Sequence, residues 1–277
     1  MPRETATLAG LRRSGLGRLD RLEGFLSKAD RPEGLTGEEV HGLHRELRAL
    51  RVDLGLLARL SCGGERARAR TERERVSRMA RRVGELRDRT VVGELLDRPE
   101  ISSRIPAVTL ELAHHLLRRE EEVGRALLQT LLTSTGFRRG LRWERRAWSR
   151  LKAGPPSFRR ALEQEQRFRS HRTRRALKRA RRRPSSRRLH RLRRALRNQA
   201  LLAGTLPALA RTGPAARRGS PDWIQRELGR LHDVEVLRRW IVRLPSPSEE
   251  DLDSAFRAEE RRRLARILSA LSGPGSR

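Results

Sequence analysis

Apolar residues recur three and four positions apart along nearly the whole chain, the spacing that puts them on one side of an α-helix. Val40, Leu43, Leu47, Leu50 and Leu54 form one such face, and Leu189, Leu192 and Leu196 form another. No convincing period-two run is present, so no strand is expected. The pattern predicts a first helix over about residues 8–28, stopped by Asp30-Arg31-Pro32-Glu33-Gly34. Thr36 with Glu39 three residues on makes a capping box for the next helix, which Ser61-Cys62-Gly63-Gly64 ends. Further helices are expected over about 65–96, 107–133 and 137–152, with Pro99 to Pro106 breaking the pattern between the first two. After a break at Gly154-Pro155-Pro156 an Arg-rich helix runs to about Arg183, and Pro184-Ser185-Ser186 caps its successor, which yields near Pro207 or Gly213. The last two helices are expected over about 222–243 and 249–271, separated by Pro245-Ser246-Pro247-Ser248.

Beside two of these apolar faces lies the same polar word. His41-Gly42-Leu43-His44-Arg45-Glu46-Leu47-Arg48 returns as His190-Arg191-Leu192-Arg193-Arg194-Ala195-Leu196-Arg197. With a shift of 149 positions, seven of the eighteen residues from 40 to 57 are identical. A second pair of words, Val83-Gly84-Glu85-Leu86-Arg87-Asp88 and Leu228-Gly229-Arg230-Leu231-His232-Asp233, follows at an offset of 145. Two landmarks in one order indicate an internal duplication of about 140 residues, far longer than a solenoid repeat. On a helix His41, His44, Arg48 and Arg51 fall within roughly 80°, and His190, Arg193 and Arg197 take the matching arc. Each helix therefore packs one side and offers the adjoining side to an anion. A single Arg-rich helix would more simply be a solvated face; repetition of the His–Arg register beside the same apolar register argues for a built site.

Charge sharpens this picture. The 277 residues carry 65 Lys+Arg against 34 Asp+Glu, a formal net charge of +31. Residues 137–199 alone hold 25 basic against 3 acidic residues, whereas 1–136 hold 26 against 21 and 200–277 hold 14 against 10. Such a field attracts polyanions over a Debye length of about 8–10 Å, and less so in salt. Only three of the basic residues are lysine. Arginine grips phosphate oxygens bidentately, though a general preference for Arg codons gives the same bias. The 36% hydrophobic content suffices for a core, and 3% aromatic residues with abundant Leu, Ala and Arg favours helix throughout. The single cysteine, Cys62, forms no intramolecular disulfide and no cysteine cluster for zinc, which points to a reducing interior. No run of about 18 apolar residues occurs, and charges spread through the residues up to Leu22 leave no signal-peptide core. A cytoplasmic protein without membrane contact is expected.

At the His–Arg and Gly words the chain resembles the CHAD family, the conserved histidine α-helical domain. The first hallmark word is carried by His41, Arg48, Leu50 and Arg51, with His44 at a usual arginine position. Its second copy is carried by His190, Arg193 and Arg197, with Gln199 and Ala200 replacing the following Leu and Arg. The Gly words match at Gly84, Arg87 and Asp88, and at Gly229 and Asp233 with His232 in place of arginine. The resemblance covers about residues 8–271, read as halves of about 8–135 and 136–271 with a flexible tail over 272–277. It implies an all-α fold of two pseudo-twofold-related four-helix-type bundles around a central basic groove. It further implies binding of inorganic polyphosphate, association with polyphosphate granules and no catalysis. His41, His44, Arg45, Arg48, Arg51, His190, Arg193, Arg194 and Arg197 are the expected polyphosphate-binding residues.

Two other classes compete. A phosphate groove also attracts the phosphodiester backbone, so non-specific nucleic-acid binding is the second reading. Trp143, Trp148, Phe158 and Phe168 lie in the basic region, but they read as packing residues rather than stacking platforms. A structural scaffold is the third. Glu38-x-x-His41 and Glu111-x-x-His114 repeat a di-iron spacing, but their inward Glu partners cannot be identified and no metal site is expected. No Gly-rich phosphate loop, nucleophile elbow or carboxylate cluster is present, so neither a catalytic residue nor a cofactor is expected. Asp88 and Asp233 read as residues that orient Arg or cap a bundle interior. Oligomeric state has no signature in the sequence.

Overall fold

Leucine at helical spacing drives the architecture, and every element among the described residues is a helix. A computed structural model describes residues 2–31, 34–151, 157–205, 220–244 and 249–272, the side chains of 2–7, 157–159, 161, 204–205, 249–255 and 272 excepted. The helices are α1 Pro2–Ala29, α2 Gly37–Leu60, α3 Gly63–Leu96, α4 Pro99–Ser102, α5 Ala107–Thr133, α6 Thr135–Arg150, α7 Ser157–Arg182, α8 Ser186–Thr205, α9 Pro221–Ile241 and α10 Glu249–Ser272. The expected breaks at Gly154-Pro155-Pro156 and at Pro245 to Ser248, the stops at Pro207 and Gly213, and tail residues 273–277 lie outside the described residues. Ser272, assigned to the tail from the sequence, is the last residue of α10.

Boundaries follow local chemistry. The Thr36 side chain accepts from the Glu39 amide while the Glu39 carboxylate accepts from the Thr36 amide, so the predicted capping box starts α2. Lys28 adds an ion pair at 2.7 Å, and these two hydrogen-bonding partners hold Glu39 down to a pKa of about 2. Within the stretch from Pro99 to Pro106, expected to break the helical pattern, Pro99 at the first helical position opens the short α4, since its fixed φ suits a helix start. Ser185 rather than Ser186 caps α8: its hydroxyl accepts from the Arg188 amide.

The chain forms two compact units, each discontinuous in sequence. Unit 1 comprises residues 1–87, 123–170 and 198–211; unit 2 comprises 88–122, 171–197 and 212–277. In unit 1, α1 packs on α2 and α6. Its core gathers Leu11, Leu19 and Leu22 of α1, Leu43, Leu47, Leu50 and Leu54 of α2, and Trp148 of α6. Gly15 lets α1 approach α6: a Cβ there would sit 2.7 Å from the fully buried Trp148 ring.

Charged groups enter this core with partners. Arg18 of α1, only 7% exposed, donates to Asp53 at 2.6 Å and to Glu46 at 3.3 Å on α2. Glu72 of α3 takes Arg68 and Arg75, and Gly140 leaves room for its carboxylate, which a Cβ would approach to 2.6 Å. Pairing is what makes burial of these charges tolerable.

Unit 2 has two apolar clusters. One joins Val92, Leu96, Leu117, Leu237 and Trp240; the other joins Ala180, Leu189, Leu192, Leu196, Leu228, Leu231 and Ile267. Here α9 packs on α10, and α9 starts with Pro221 behind an N-cap in which Ser220 accepts from the Trp223 amide.

Candidate functional site

The first His–Arg face belongs to unit 1 and lies on α2. Val40, Leu43, Leu47, Leu50 and Leu54 are buried, which turns the neighbouring arc outward. His41 and Arg45 are exposed, while His44, Arg48 and Arg51 are half-buried. Arg45 comes within 3.8 Å of the Glu46 carboxylate, so part of its charge is already engaged. Gly84 of α3, the glycine of the first Gly word, faces His44. A Cβ at Gly84 would stand 3.1 Å from His44 Nε2 and 3.3 Å from Cε1, so this glycine provides the room in which the imidazole lies.

The second face belongs to unit 2 and lies on α8. Leu189, Leu192 and Leu196 are buried. His190 and Arg194 are exposed, and Arg193 and Arg197 are half-buried beside them. Facing this helix is His232 of α9, from the second Gly word, whose ring centroid lies 5.9 Å from that of His190 with the planes inclined by 45°. Glu235, one turn on, has one carboxylate oxygen 3.8 Å from His232 Nδ1 and accepts the Ser186 hydroxyl at 2.9 Å on the other. The counterpart glycine, Gly229, has open space where a Cβ would be.

Protonation in unit 2 follows from these neighbours. His190 is exposed by surface area, yet the part of its ring withdrawn from water lowers its pKa, and the adjacent His232, Arg194 and Arg193 lower it further, against a weaker opposing pull from Glu235. Burial by itself would raise Glu235, but the nearby His232, the Ser186 hydrogen bond and Arg239 outweigh it and hold the carboxyl below its ordinary value. At Arg197 burial pushes the pKa down to about 10, the side chain's Nε is buried without a hydrogen-bond partner, and among the described residues no carboxylate pairs with it.

All nine residues expected from the sequence lie on α2 and α8, five in unit 1 and four in unit 2. The sequence reading missed the role of Gly84 beside His44 and the His232, Glu235 and Ser186 group beside His190. The paired Gly words were the available signal, since each supplies the residue that meets the histidine helix of its own unit. Among the aromatics, Trp148 is fully buried and Trp143 packs partly against the same core. Phe168 departs from its expected packing role: it is 46% exposed, and the Arg59 guanidinium stands 5.4 Å from its ring centre. Phe158 lies outside the described side chains. Cys62 is exposed. His114 of the second Glu-x-x-His word lies 3.6 Å from Asp97, and among the described residues no three His, Cys, Asp or Glu side chains come together as a metal site. No helix among the described residues is long and apolar enough to cross a membrane.

The family model of the CHAD domain matches residues 21–241, a span that contains both His–Arg faces and both Gly words. In three dimensions the chain is similar to the crystal structure of the CHAD domain from the plant Ricinus communis. The TM-score is 0.70 at 18% sequence identity, over 96% of this chain and 91% of that one. At that identity the likeness establishes the fold. No curated protein matches the chain.

Proposed function

The chain belongs to the CHAD family, and from that premise we propose that it binds inorganic polyphosphate on its two His–Arg helix faces without catalysing a reaction. Arg197 carries this reading. A guanidinium held partly out of water, with a buried Nε and no carboxylate beside it, is unfavourable in the empty protein and becomes favourable when an anion arrives. Elsewhere the fold supplies acids to its buried cations, as Asp53 and Glu46 do for Arg18. Arg193 and Arg194 flank the same site, and His190 adds a donor that gains a proton when phosphate approaches.

Polyphosphate fits because it repeats one negative charge per phosphate along an unbranched chain, while helices hold forked donors at fixed spacing. On this reading the protein acts in the cytoplasm, at polyphosphate granules. Calorimetric titration with long-chain polyphosphate tests it, using the full chain and a variant carrying Arg48→Gln, Arg51→Gln, Arg193→Gln and Arg197→Gln. Submicromolar binding that the variant loses by about 10⁴-fold or more is expected, each of the four charge-assisted hydrogen bonds being worth about 1.5–3 kcal/mol. Unchanged affinity in the quadruple variant would move the site elsewhere.

A further inference from the structure

Unit 2 carries a second cationic surface of different character, the outer side of α7. Ala176, Leu177 and Ala180 turn inward to the cluster formed with Leu189, Leu192 and Leu196. On the opposite side Arg175, Lys178, Arg179 and Arg182 fall within an arc of about 100° along about 10 Å of helix. All four are exposed, and none makes an ion pair or side-chain hydrogen bond among the described residues. By contrast, the half-exposed arginines of α6 are neutralised by acids of α1 and of the turn that follows it, Arg138 by Asp30 and Arg145 by Asp20 and Glu23. Around α7 no such acid can come from the local chain, because no Asp or Glu occurs between Glu165 and Asp222.

We infer that this α7 face binds the phosphate backbone of double-stranded nucleic acid, independently of base sequence. The His–Arg face of α8 offers recessed, partly dehydrated donors that suit a thin chain. The α7 face offers none: its cations are hydrated and spread over a convex surface, so binding there comes from counterion release rather than from enclosed hydrogen bonds. That effect is greatest for a wide, stiff and densely charged partner. Duplex DNA carries one charge per about 1.7 Å of axis, about six over the length of this face. Being already rigid, it also loses little conformational freedom on docking, unlike a flexible polyphosphate chain. No Asn or Gln accompanies the four cations on that arc to read base edges.

The test uses the full chain with Arg175→Gln, Lys178→Gln, Arg179→Gln and Arg182→Gln, glutamine being a good helix former at exposed positions. Fluorescence anisotropy with a random 20-base-pair duplex over a salt series should show affinity falling about tenfold or more. The slope of log affinity against log salt should become shallower by about 3 to 4, at about 0.9 for each phosphate no longer neutralised. Long-chain polyphosphate should bind the variant within about twofold of the parent, and the all-lysine version of the face should retain duplex binding, as expected for a backbone interaction. Unchanged duplex affinity overturns the proposal, as does an equal loss towards polyphosphate or towards phosphatidylserine vesicles. The proposal is separable from the polyphosphate reading: Arg193→Gln with Arg197→Gln tests that site, and its outcome leaves the duplex measurement standing.

Discussion

The imidazoles of His190 and His232 lie 5.9 Å apart, one on each of two helices in the same unit, with a Glu235 carboxylate oxygen 3.8 Å from the second ring. The arrangement is electrostatically uneven. Partial burial lowers the His190 pKa, and the nearby His232, Arg194 and Arg193 lower it further. A negatively charged ligand beside His190 would oppose these influences.

Polyphosphate binding should therefore take up protons. In the free protein the His190 pKa is below its ordinary value near 6.5, and a bound anion moves it upward. Between these two values the complex holds a proton that the free protein lacks, so affinity tightens as pH falls through that window and levels off below the free pKa. Titration calorimetry at pH 6.5 in two buffers of different ionisation enthalpy should show proton uptake, and His190→Ala should remove most of it. Equal apparent enthalpies in the two buffers would exclude His190 from the charge balance.

The two Gly words should respond oppositely to alanine. Ala is a better helix former than Gly by about 0.5–1 kcal/mol, and the space beside Gly229 is open, so Gly229→Ala should stabilise the fold by about that amount. At Gly84 the added methyl would stand 3.1 Å from His44 Nε2, and the ring must shift by a few tenths of an ångström. Gly84→Ala should gain less than Gly229→Ala, and it should weaken polyphosphate binding where Gly229→Ala does not. Urea unfolding of both variants beside their binding isotherms checks the pair.

Helix formation was legible because it is a local property. The apolar spacing predicted 107–133, and α5 is Ala107–Thr133; Thr36 and Glu39 predicted a capping box, and α2 begins with one. Burial of charge was not legible, because it is decided by partners distant in sequence. Nothing around Asp53 indicates that Arg18, 35 positions earlier, reaches it. The nine candidate residues could be assigned to two helix faces by periodicity alone. The approach of His232 to His190 depends instead on how α9 packs against α8, and the sequence showed His232 only as a histidine at an arginine position. Phe168 shows the same limit in reverse: an aromatic residue in a basic stretch reads as a packing residue until the fold turns it outward.

Glu144 sets a pH dependence in unit 1. It is 1% exposed; burial raises its pKa well above the ordinary carboxyl value, as do Asp53 and Glu72, against the Trp148 hydrogen bond and Arg18. Above about pH 4.5 the unfolded chain releases this proton while the native chain keeps it, so the native state binds more protons and stability falls as pH rises. Glu144→Gln, which keeps the oxygen that accepts from Trp148 and carries no charge, should raise Tm at pH 8 and leave it nearly unchanged at pH 4. Each kcal/mol gained should appear as about 2–4 °C in a chain of this size. A Tm gain of equal size at both pH values would show that packing, not ionisation, governs the site.

Arg197 should separate stability from binding. Its guanidinium is partly buried with no acid beside it, and burial alone lowers its pKa to about 10. The folded state thus disfavours the charge that the unfolded chain carries freely at neutral pH. Methionine matches much of the stem without the charge, so Arg197→Met should raise the Tm of the ligand-free protein. The same change removes a charge-assisted donor worth about 1.5–3 kcal/mol to a bound phosphate, so polyphosphate affinity should fall about 10- to 100-fold. In a thermal-shift series the variant should melt higher than the parent without ligand and lower at saturating polyphosphate, the two curves crossing as ligand is added. A variant that melts lower at every ligand concentration would show that Arg197 serves the fold rather than the anion.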